Sequence, residues 1–384
     1  MIPRPEYMRQ VEVALARAPV TALLGPRQSG KTTLARQLAA RRPSTFFDLE
    51  WEPDVRRLDN PELALGGLEG LIVLDEVQRL PRLFNVLRVL ADRPANRSRF
   101  LVLGSASPDL VRGVSESLAG RVEFVELTGF DFAEIELGDW RALWLRGGLP
   151  RSYLAGSDDD SFAWRQDFVR TFLERDIPQL GGAPPSAAMR RFWTMLAHWH
   201  GQTLNASSLG RSMSVSDKTV RRYLDLLSGT FMVRQLQPWF ENMRKRQVKA
   251  PKVYLRDTGL LHSLLGTPTE PALLSHPKVG ASWEGFAVEQ TLRALRPGNA
   301  WFWAAHSGPE LDLLVTHNGL RVGFEMKFSE APVIRKSTRA LLDLLNLAHL
   351  YVVCPARVSY AADPRITVIP AVEVTTLRDR LDSL

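Results

Sequence analysis

The chain has 384 residues, of which 45% are apolar and 24% are charged, a composition ordinary for a soluble globular protein. This length predicts two or three domains with real hydrophobic cores. The 49 Lys and Arg against 42 Asp and Glu give a net charge of +7, which favours a polyanionic partner such as nucleic acid. The single cysteine, Cys354, excludes an internal disulfide and a cysteine-based zinc site.

No targeting or membrane-spanning segment is recognisable in the sequence. The N-terminal stretch MIPRPEYMRQ lacks the apolar core of a secretion signal, and no apolar run reaches the roughly 20 residues that cross a bilayer. We therefore expect a cytoplasmic protein without a membrane partner. Cys354 stands in the apolar run HLYVVCP and is expected in the core rather than as a nucleophile.

The first motif lies between a short apolar run and a helical pattern. Residues 20–33, VTALLGPRQSGKTT, match GxxxxGK(S/T), in which glycines let backbone N–H groups face phosphates at a helix N-terminus. Lys31 is then placed to reach the β- and γ-phosphates, and the Thr32 hydroxyl to bind Mg²⁺. The pattern predicts a site for ATP and Mg²⁺. The alternative is a glycine-rich turn that matches by chance.

An acidic pair follows the next apolar run, in LIVLDEVQRLP at residues 71–81. A continuous apolar run is typical of a parallel strand buried on both faces, and ligands bind at the carboxyl ends of such strands. Asp75 is expected to order the Mg²⁺ shell, and Glu76 to orient or activate the attacking water. The alternative is a solvated pair at a strand end.

Two further strands complete the first third. STFFDLE, residues 44–50, and RFLVLGSAS, residues 99–107, alternate with helical segments, which predicts an open and mostly parallel α/β sheet. Ser105 is either a polar sensor of the γ-phosphate or a helix cap. Arg121 ends the segment SESLAGR and precedes the strand VEFVEL. It is either presented to a nucleotide, of this subunit or of a neighbour, or is a surface residue.

Six segments together carry a family resemblance: GPRQSGKTTL, LDEVQRLP, SESLAGR, RGGLP at 146–150, FLERD at 172–176 and KAPKVYLRDTGLL at 249–261. They resemble prokaryotic AAA-type ATPases fused to a C-terminal domain of unknown function. The resemblance implies an AAA+ core, with Asp75 and Glu76 as the Walker B pair and Arg121 as the candidate arginine finger. The phosphate-binding loop would consist of Gly25, Pro26, Arg27, Gln28, Ser29, Gly30, Lys31, Thr32 and Thr33. VLGSAS departs from the family, which often has a Thr before the Gly, so the sensor residue stays open.

The middle of the chain predicts a helical connector and then a winged helix-turn-helix. The connector has helical periodicity and ends in the loop GGAPPS. Beyond it, Leu209 and Met213 mark the first helix of a pair, Val215 fills the turn, and Ser216 caps the second helix. The buried face of that second helix is predicted to consist of Val220, Tyr223, Leu224 and Leu227.

Basic residues cluster on the opposite side of the second helix. Lys218, Arg221 and Arg222 lie near its start, where a recognition helix meets the major groove of DNA. The run MRKRQVKAPK follows the expected wing and supplies cations for phosphates, namely Arg244, Lys245, Arg246, Lys249 and Lys252. We expect DNA binding, and the alternative is a winged helix that contacts protein.

The last third contains the hairpin signal Asn318-Gly319 between two alternating runs. A type I′ turn there pairs His317 with Leu320 and, further out, places Asp312 opposite Glu325. Two carboxylates about 5 Å apart repel by about 3 kcal/mol at an effective dielectric constant of about 20. A divalent cation, a raised carboxyl pKa or a nearby lysine would offset this repulsion.

The pattern Asp312 followed by Glu325-x-Lys327 resembles PD-(D/E)xK nucleases. The preceding segment ASWEGFAVEQTLRAL is helical by its apolar spacing and places Glu284 where that family often has a glutamate. The implied chemistry is phosphodiester hydrolysis, with metal on Glu284, Asp312 and Glu325 and with Lys327 positioning water and stabilising charge. A competing interpretation is a cross-strand salt bridge between Glu310 and Lys327.

The sequence as a whole predicts an α/β protein in four parts. These are an AAA+ core over 1–135, a helical connector over 136–185, a winged helix-turn-helix over 186–275 and a restriction-endonuclease-like domain over 276–384. The predicted function is ATP hydrolysis that controls DNA engagement, with metal-dependent DNA cleavage as an open addition. The alternative is a slow nucleotide-switched regulator whose nuclease-like domain is a scaffold for DNA or protein. A homo-oligomer would be required if Arg121 serves a neighbour.

Overall fold

A computed structural model describes residues 2–94, 97–105, 108–180, 184–240, 248–305 and 308–384, without the side chains of residues 105–112 and 137. The chain divides into two units. The first contains residues 1–129 and 229–231, and the second contains residues 130–228 and 232–384. In the part that is described, no helix is long and apolar enough to cross a membrane.

Helices alternate with strands in the first unit, as the sequence pattern predicts. Its elements are α1 (Pro5–Arg17), β1 (Val20–Gly25), α2 (Lys31–Ala39), β2 (Ser44–Asp48), α3 (Glu52–Arg57), α4 (Pro61–Gly66), β3 (Gly70–Asp75), α5 (Leu83–Ala91), β4 (Ser98–Ser105), α6 (Pro108–Ser117) and β5 (Val122–Glu126). The strands described here are parallel and lie in the order β2-β3-β4-β1-β5. The predicted parallel sheet is therefore confirmed.

The carboxyl ends of four strands meet at one edge of this sheet. Strand β1 ends at Gly25, β2 at Asp48, β3 at Asp75 and β4 at Ser105. Apolar residues on both faces hold the sheet: α1 packs on one face and α5 on the other. Because the strands are parallel and buried, the polar groups at their ends are presented together at the carboxyl edge.

The second unit begins with helices and continues into one mixed sheet. Its elements are α7 (Trp140–Arg146), α8 (Pro150–Tyr153), α9 (Asp158–Thr171), α10 (Ser186–His198), β6 (Gln202–Thr203), α11 (Ala206–Met213), α12 (Asp217–Gly229), β7 (Val233–Pro238), β8 (Lys252–Leu255), α13 (Thr258–Leu265), α14 (Glu270–Ser275), α15 (Val279–Leu295), β9 (Ala300–Ala304), β10 (Glu310–His317), β11 (Leu320–Met326), α16 (Lys336–Leu344), β12 (His349–Cys354), β13 (Tyr360–Asp363), β14 (Ile366–Pro370) and α17 (Leu377–Asp382). The strand order over the described residues is β13-β14-β12-β11-β10-β9-β7-β8-β6. Cys354 is buried in β12, as expected.

Helices α11 and α12 form the predicted pair. The Thr219 backbone N–H donates to Ser216 Oγ at 3.2 Å, which confirms Ser216 as the cap of α12. The predicted apolar faces are also confirmed, since the buried side chains include Leu209, Met213, Val220, Tyr223, Leu224 and Leu227. Strands β6 and β7 both pair antiparallel with β8 beside these helices.

The hairpin β10–β11 has the predicted turn and register. Asn318 and Gly319 have φ values of 49° and 80°, as a type I′ turn requires. The ladder starts at His317 and Leu320 and continues to Leu313 and Phe324, which confirms the predicted register over these five pairs. Asp312 and Glu325 are the next residues beyond the last pair, and both line the same cavity. Beyond the hairpin, β12 pairs in parallel with β11.

A buried carboxylate joins α15 to the strands that precede it. Glu289 on α15 contacts Arg234 of β7, Arg256, which follows β8, and Arg293, which is one helical turn away. Burial by itself raises the pKa of Glu289, but these three arginines outweigh it and lower that pKa to about 2. The charge of Glu289 is thus retained in the core because three guanidinium groups surround it.

We expect Glu289→Gln to lower the free energy of unfolding by roughly 3 kcal/mol at pH 7, because it leaves buried guanidinium groups without their carboxylate. The pKa of about 2 lies below the ordinary 4.5, so this stabilisation is complete above pH 4.5 and is lost as the pH falls toward 2. Urea unfolding of wild type and variant between pH 7 and pH 3 should show a difference that shrinks below pH 4.5.

The control for this measurement is Glu270→Gln, which removes a partly exposed ion pair with Arg141. That change should stay within about 0.5 kcal/mol. A difference between wild type and Glu289→Gln that is equally large at pH 7 and pH 3 would contradict the electrostatic role of Glu289.

Candidate functional site

The loop between β1 and α2 has a backbone that requires its glycines. A Cβ on Gly25 would lie 2.0 Å from the carbonyl oxygen of Leu127. Gly30, the N-cap of α2, has a φ of 95°, and Gln28 also has a positive φ of 61°. Such a loop ahead of a helix N-terminus presents backbone N–H groups to a phosphate. The geometry therefore suits the nucleotide loop predicted from the sequence.

Lys31 is buried at the base of this loop. Its Nζ donates to the carbonyl oxygens of Gly25 at 3.1 Å and Pro26 at 2.9 Å. Burial lowers the pKa of Lys31 to about 8, and Glu76 and Asp75 oppose that lowering. The ammonium remains mostly charged at neutral pH, within the loop that would surround the phosphates.

The end of β3 brings the predicted acidic pair to the loop. Asp75 is buried and accepts a hydrogen bond from the Thr32 hydroxyl. Burial raises the pKa of Asp75, as do the nearby charges of Glu76 and Asp48, while the Thr32 contact lowers it. Glu76 has the left-handed φ of 55°, uncommon for a non-glycine residue, and its carboxylate accepts from the Gln78 amide. Thr32, Asp75 and Glu76 thus lie together at the sheet edge.

Two residues at this edge were missed by the sequence reasoning. Asp48 ends β2 directly beside Asp75 in the parallel register. In the sequence it could have been recognised as the acid at the end of the apolar run STFFD. Arg4, buried ahead of α1, donates to the carbonyl oxygens of Ser29 at 3.0 Å, Thr128 at 3.0 Å and Gly129 at 3.2 Å. Arg4 had no sequence signal, because its partners are far along the chain.

The remaining predicted loop residues differ in exposure. Pro26 and Ser29 are buried, Arg27 is half-buried, and Gln28 and Thr33 are exposed. The buried pair therefore belongs to the packed base of the loop, whereas the exposed pair faces solvent.

Ser105 and Arg121 lie at opposite edges of the sheet. Ser105 ends β4 beside Gly25, at the carboxyl edge, although its side chain is outside the described part. Arg121 precedes β5, whose first residue pairs with Val20 at the start of β1. Its guanidinium makes two contacts with Asp92, at 2.6 and 2.8 Å. Arg121 is therefore about the length of a strand from the loop of its own subunit, which leaves two of the expected roles, a surface residue or a contact with a neighbour's nucleotide.

A second group of polar residues lines a cavity of about 340 Å³ in the other unit. The carboxylates in this acidic cavity are Glu284 of α15, Glu310 and Asp312 of β10, and Glu325 of β11. Lys327, Ser337 and Thr338 also line it, and Thr338 Oγ1 donates to Glu325 Oε2 at 3.1 Å. The structure thus brings together the four residues expected of a nuclease-like site.

The centre of the acidic cavity is the ammonium of Lys252, the first residue of β8. Its Nζ lies 2.9 Å from Glu284 Oε1 and 3.3 Å from Asp312 Oδ1, and it also contacts Glu310. Burial opposes the charge of Lys252, but Tyr254 and the three acids raise its pKa well above the usual value. Burial also raises the pKa of Glu284 to about 7, assisted by Asp312. Lys252 therefore offsets part of the repulsion between Glu284, Glu310 and Asp312.

This arrangement corrects two expectations about the cavity. Lys252, predicted to bind phosphates at the surface, is only 3% exposed. Glu310, considered as a partner of Lys327, contacts Lys252 instead, while Lys327 Nζ lies 3.7 Å from Glu325 Oε1. In the described part of the chain, no group of three or more His, Cys, Asp or Glu is arranged to hold a metal ion. The sequence did not indicate that Lys252 is buried, because it follows a run of basic residues that is typical of a protein surface.

The basic residues predicted for DNA lie partly within the described chain. Lys218, Arg221 and Arg222 are exposed on α12, and Lys249 is exposed ahead of β8. Arg244, Lys245 and Arg246 lie outside the described residues. The three cations therefore lie on the exposed side of α12, opposite its buried apolar face.

Family models match three parts of the chain. An AAA domain matches residues 17–136, and two domains of unknown function, DUF8612 and DUF4143, match residues 137–271 and 279–374. The first match spans the parallel sheet with its glycine loop and acidic pair. The N-terminal third of the protein is thus an AAA-type P-loop domain.

Relatives extend over nearly the whole chain. It is 50% identical over 376 residues to the uncharacterized proteins Rv2008c of Mycobacterium tuberculosis and Mb2031c of Mycobacterium bovis, covering 98% of this chain and 85% of each relative. The protein belongs to the same family as these two. Among solved structures it is similar to the Walker-type ATPase paby2304 of Pyrococcus abyssi, at 15% identity and a TM-score of 0.49, over 69% of this chain and 96% of that one.

We expect Gly25→Ala to abolish ATP binding, because the new Cβ would lie 2.0 Å from the Leu127 carbonyl oxygen and the loop must shift. The measurement is the rise in thermal unfolding temperature on adding ATP and Mg²⁺. Gly67→Ala is the control, since no atom lies within 4 Å of its added Cβ and its φ is −102°. A full ATP shift in Gly25→Ala would show that the loop tolerates the displacement.

Proposed function

We propose that the protein is an ATPase whose nucleotide state controls its engagement of DNA. The observation that supports the ATPase most is the contact of the Thr32 hydroxyl with Asp75, beside the buried Lys31 and next to Glu76. These residues come from two separate motifs, and the fold places them at one edge. Their combination suits phosphoanhydride hydrolysis better than nucleotide storage, because Glu76 adds a base to the binding residues.

Each residue has a distinct part in the proposed reaction. Lys31 stabilises negative charge on the phosphates from the base of the loop. Thr32 and Asp75 offer the hard oxygen donors that Mg²⁺ prefers and would hold it, and bound Mg²⁺ supplies neutralisation of phosphate charge. Glu76 orients the attacking water. The Gln78 amide donates a hydrogen bond to the Glu76 carboxylate and thereby fixes the orientation of that carboxylate.

The DNA-binding part of the proposal rests on α11 and α12. The elements β6, α11, α12, β7 and β8 follow one another along the chain in the order of a winged helix-turn-helix. The second helix of the pair is capped, and Lys218, Arg221 and Arg222 are exposed near its start. The net charge of +7 agrees with a polyanion as the partner. We favour DNA over a protein partner because the exposed cations lie where a recognition helix meets the groove.

For the C-terminal part we favour a scaffold over a cleaving domain. Helix α15, the strands β9 to β11, α16 and the parallel strand β12 follow the order of a PD-(D/E)xK fold, and Glu284, Asp312, Glu325 and Lys327 line one cavity. However, Lys252 contacts Glu284 and Asp312 where a metal ion would bind. The proposed role of this part is therefore to support the DNA-binding helices.

A homo-oligomer is part of the proposal. Arg121 lies at the edge of the sheet away from its own loop, and its guanidinium is partly exposed in a surface pair with Asp92. A surface ion pair of this kind is weak and exchanges readily. Arg121 would leave Asp92 and stabilise charge at the nucleotide of an adjacent subunit.

We expect Lys31→Ala to lower the rate of ATP hydrolysis by about 100-fold or more, because it removes the cation nearest the phosphates. Phosphate release is measured with and without duplex DNA, and DNA should stimulate the wild type only. Arg36→Ala, an exposed change on the same helix, is the control. Equal rates of ATP hydrolysis by wild type and Lys31→Ala would refute the proposed ATPase activity. A wild-type rate that is the same with and without duplex DNA would refute the proposed coupling between ATP hydrolysis and DNA binding.

We expect the combined replacement of Lys218, Arg221 and Arg222 by Ala to weaken duplex binding strongly and at every sequence tested. Each lost phosphate contact lowers the slope of log affinity against log salt by about 0.9, so the triple variant should lose up to about 3 from that slope. Fluorescence anisotropy with a labelled duplex at several salt concentrations measures both quantities.

A matched control removes the same charge elsewhere. Arg151, Arg170 and Arg357 are exposed, and their combined replacement by Ala leaves α12 intact. That control should keep most of the affinity and the original slope. If both triple variants weaken duplex binding equally, the affinity depends only on the net charge of the protein, and α12 is not the recognition helix.

A further inference from the structure

The acidic cavity contains four carboxylates and two ammonium groups, and each carboxylate lies within 4 Å of an ammonium. Lys252 contacts Glu284, Glu310 and Asp312, and Lys327 lies near Glu325. Each acid in this cavity thus has a cationic partner from the protein itself. A nuclease-like site would leave two or three of these carboxylates for a divalent ion.

We propose that Lys252 is a permanent internal cation that takes the place of the divalent metal in this cavity. The inference rests on the proposed scaffold role of the domain. The nuclease resemblance implies Mg²⁺ or Mn²⁺ on Glu284, Asp312 and Glu325, and the arrangement of donors does not fit that ion. The disagreement identifies Lys252 as the residue that decides whether the cavity binds metal.

The distances in the cavity fit an ammonium rather than a metal. Mg²⁺ binds oxygen at about 2.0–2.1 Å, whereas Lys252 Nζ lies 2.9 Å from Glu284 Oε1 and 3.3 Å from Asp312 Oδ1. A metal at the position of Nζ would require both carboxylates to move inward by about 1 Å. The carboxylates of Glu284 and Asp312 therefore lie at the separation of hydrogen bonds to an ammonium.

The oxygens that a metal would use are also engaged by other donors. Tyr254 donates to Glu284 Oε1 at 2.6 Å, and the Met326 backbone N–H donates to Asp312 Oδ2 at 2.9 Å. Thr338 donates to Glu325 Oε2 at 3.1 Å. Tyr254 and Met326 thus orient the two carboxylates that contact Lys252, while Thr338 orients the carboxylate that lies near Lys327.

The backbone of Lys252 is held on both sides by neighbouring strands. Lys252 is paired with Thr203 of β6 on one side and with Leu236 of β7 on the other. Its side chain is almost completely buried and lines the cavity from this strand, which has a partner strand on each side. Lys252 is therefore a covalently attached part of the site and not an exchangeable counter-ion.

The test is to remove the internal cation and measure Mn²⁺ binding without nucleotide. In Lys252→Met, a neutral side chain of similar length replaces the ammonium, and the freed carboxylates should bind one additional Mn²⁺ per chain. Free Mn²⁺ is counted by electron paramagnetic resonance, and thermal unfolding is followed in parallel. The double variant Lys252→Met/Asp312→Asn should lose the additional site, because one required carboxylate is gone.

Each outcome decides the proposal. Mn²⁺ should raise the unfolding temperature of Lys252→Met more than that of the wild type, since the ion replaces the missing charge. Wild type that binds Mn²⁺ in a manner lost in Asp312→Asn would overturn the proposal. So would a folded Lys252→Met that binds no additional Mn²⁺, or a Lys252→Met that fails to fold even in millimolar Mn²⁺.

A plasmid nicking assay with Mg²⁺ or Mn²⁺ separates this inference from the scaffold role. Wild type that nicks DNA, with the activity lost in Asp312→Asn, would refute both. Wild type that binds Mn²⁺ through Asp312 without nicking would refute only the role of Lys252 and leave the scaffold intact.

Discussion

The second unit depends on one electrostatic constraint: the acids of α15 and β10 need a cation among them, and β8 supplies it. Carboxylates this close repel by several kcal/mol in a partly buried site, and burying them unpaired would cost more. Lys252 satisfies three of them from a strand that precedes both elements in sequence. Lys252 thereby links the strands beside the helix pair to the C-terminal hairpin.

The nucleotide site consists of two short motifs that are each recognisable in the sequence, and contacts between distant residues hold them in place. Gly25 is held against Leu127 by close backbone packing, and Arg4 ties the Ser29 carbonyl to the end of the same sheet. The loop is therefore fixed from two sides. Preorganisation of this kind reduces the conformational entropy that phosphate binding would otherwise cost.

The elements that could be predicted from the sequence are those specified by neighbours in the chain. Asn318-Gly319 set the hairpin register, Ser216 began a helix, and the glycine loop followed its strand. Lys252 could not be assigned in the same way, since its contact with Asp312 joins residues 60 positions apart. Periodicity reports which face of an element is apolar, but it does not report which buried acid a lysine will meet. The basic run before Lys252 favoured a surface role, and tertiary burial reversed it. For Arg121, the sequence had left open a contact with the nucleotide of its own subunit. The parallel topology excludes that contact, because Arg121 lies at the end of the sheet away from its own loop.

The parallel pairing of β7 with β9 has a mechanical consequence. Through Gln237 with Trp301 and Pro238 with Phe302, the strands behind α12 continue into the sheet that carries the hairpin. A hydrogen-bonded sheet is stiff along this direction compared with a linker of loop residues. A torque applied to α12 by a bent or twisted duplex would therefore travel as strain across the sheet to the strand that bears Asp312. The helix pair and the cavity would therefore move together, as parts of one hydrogen-bonded sheet, and not independently.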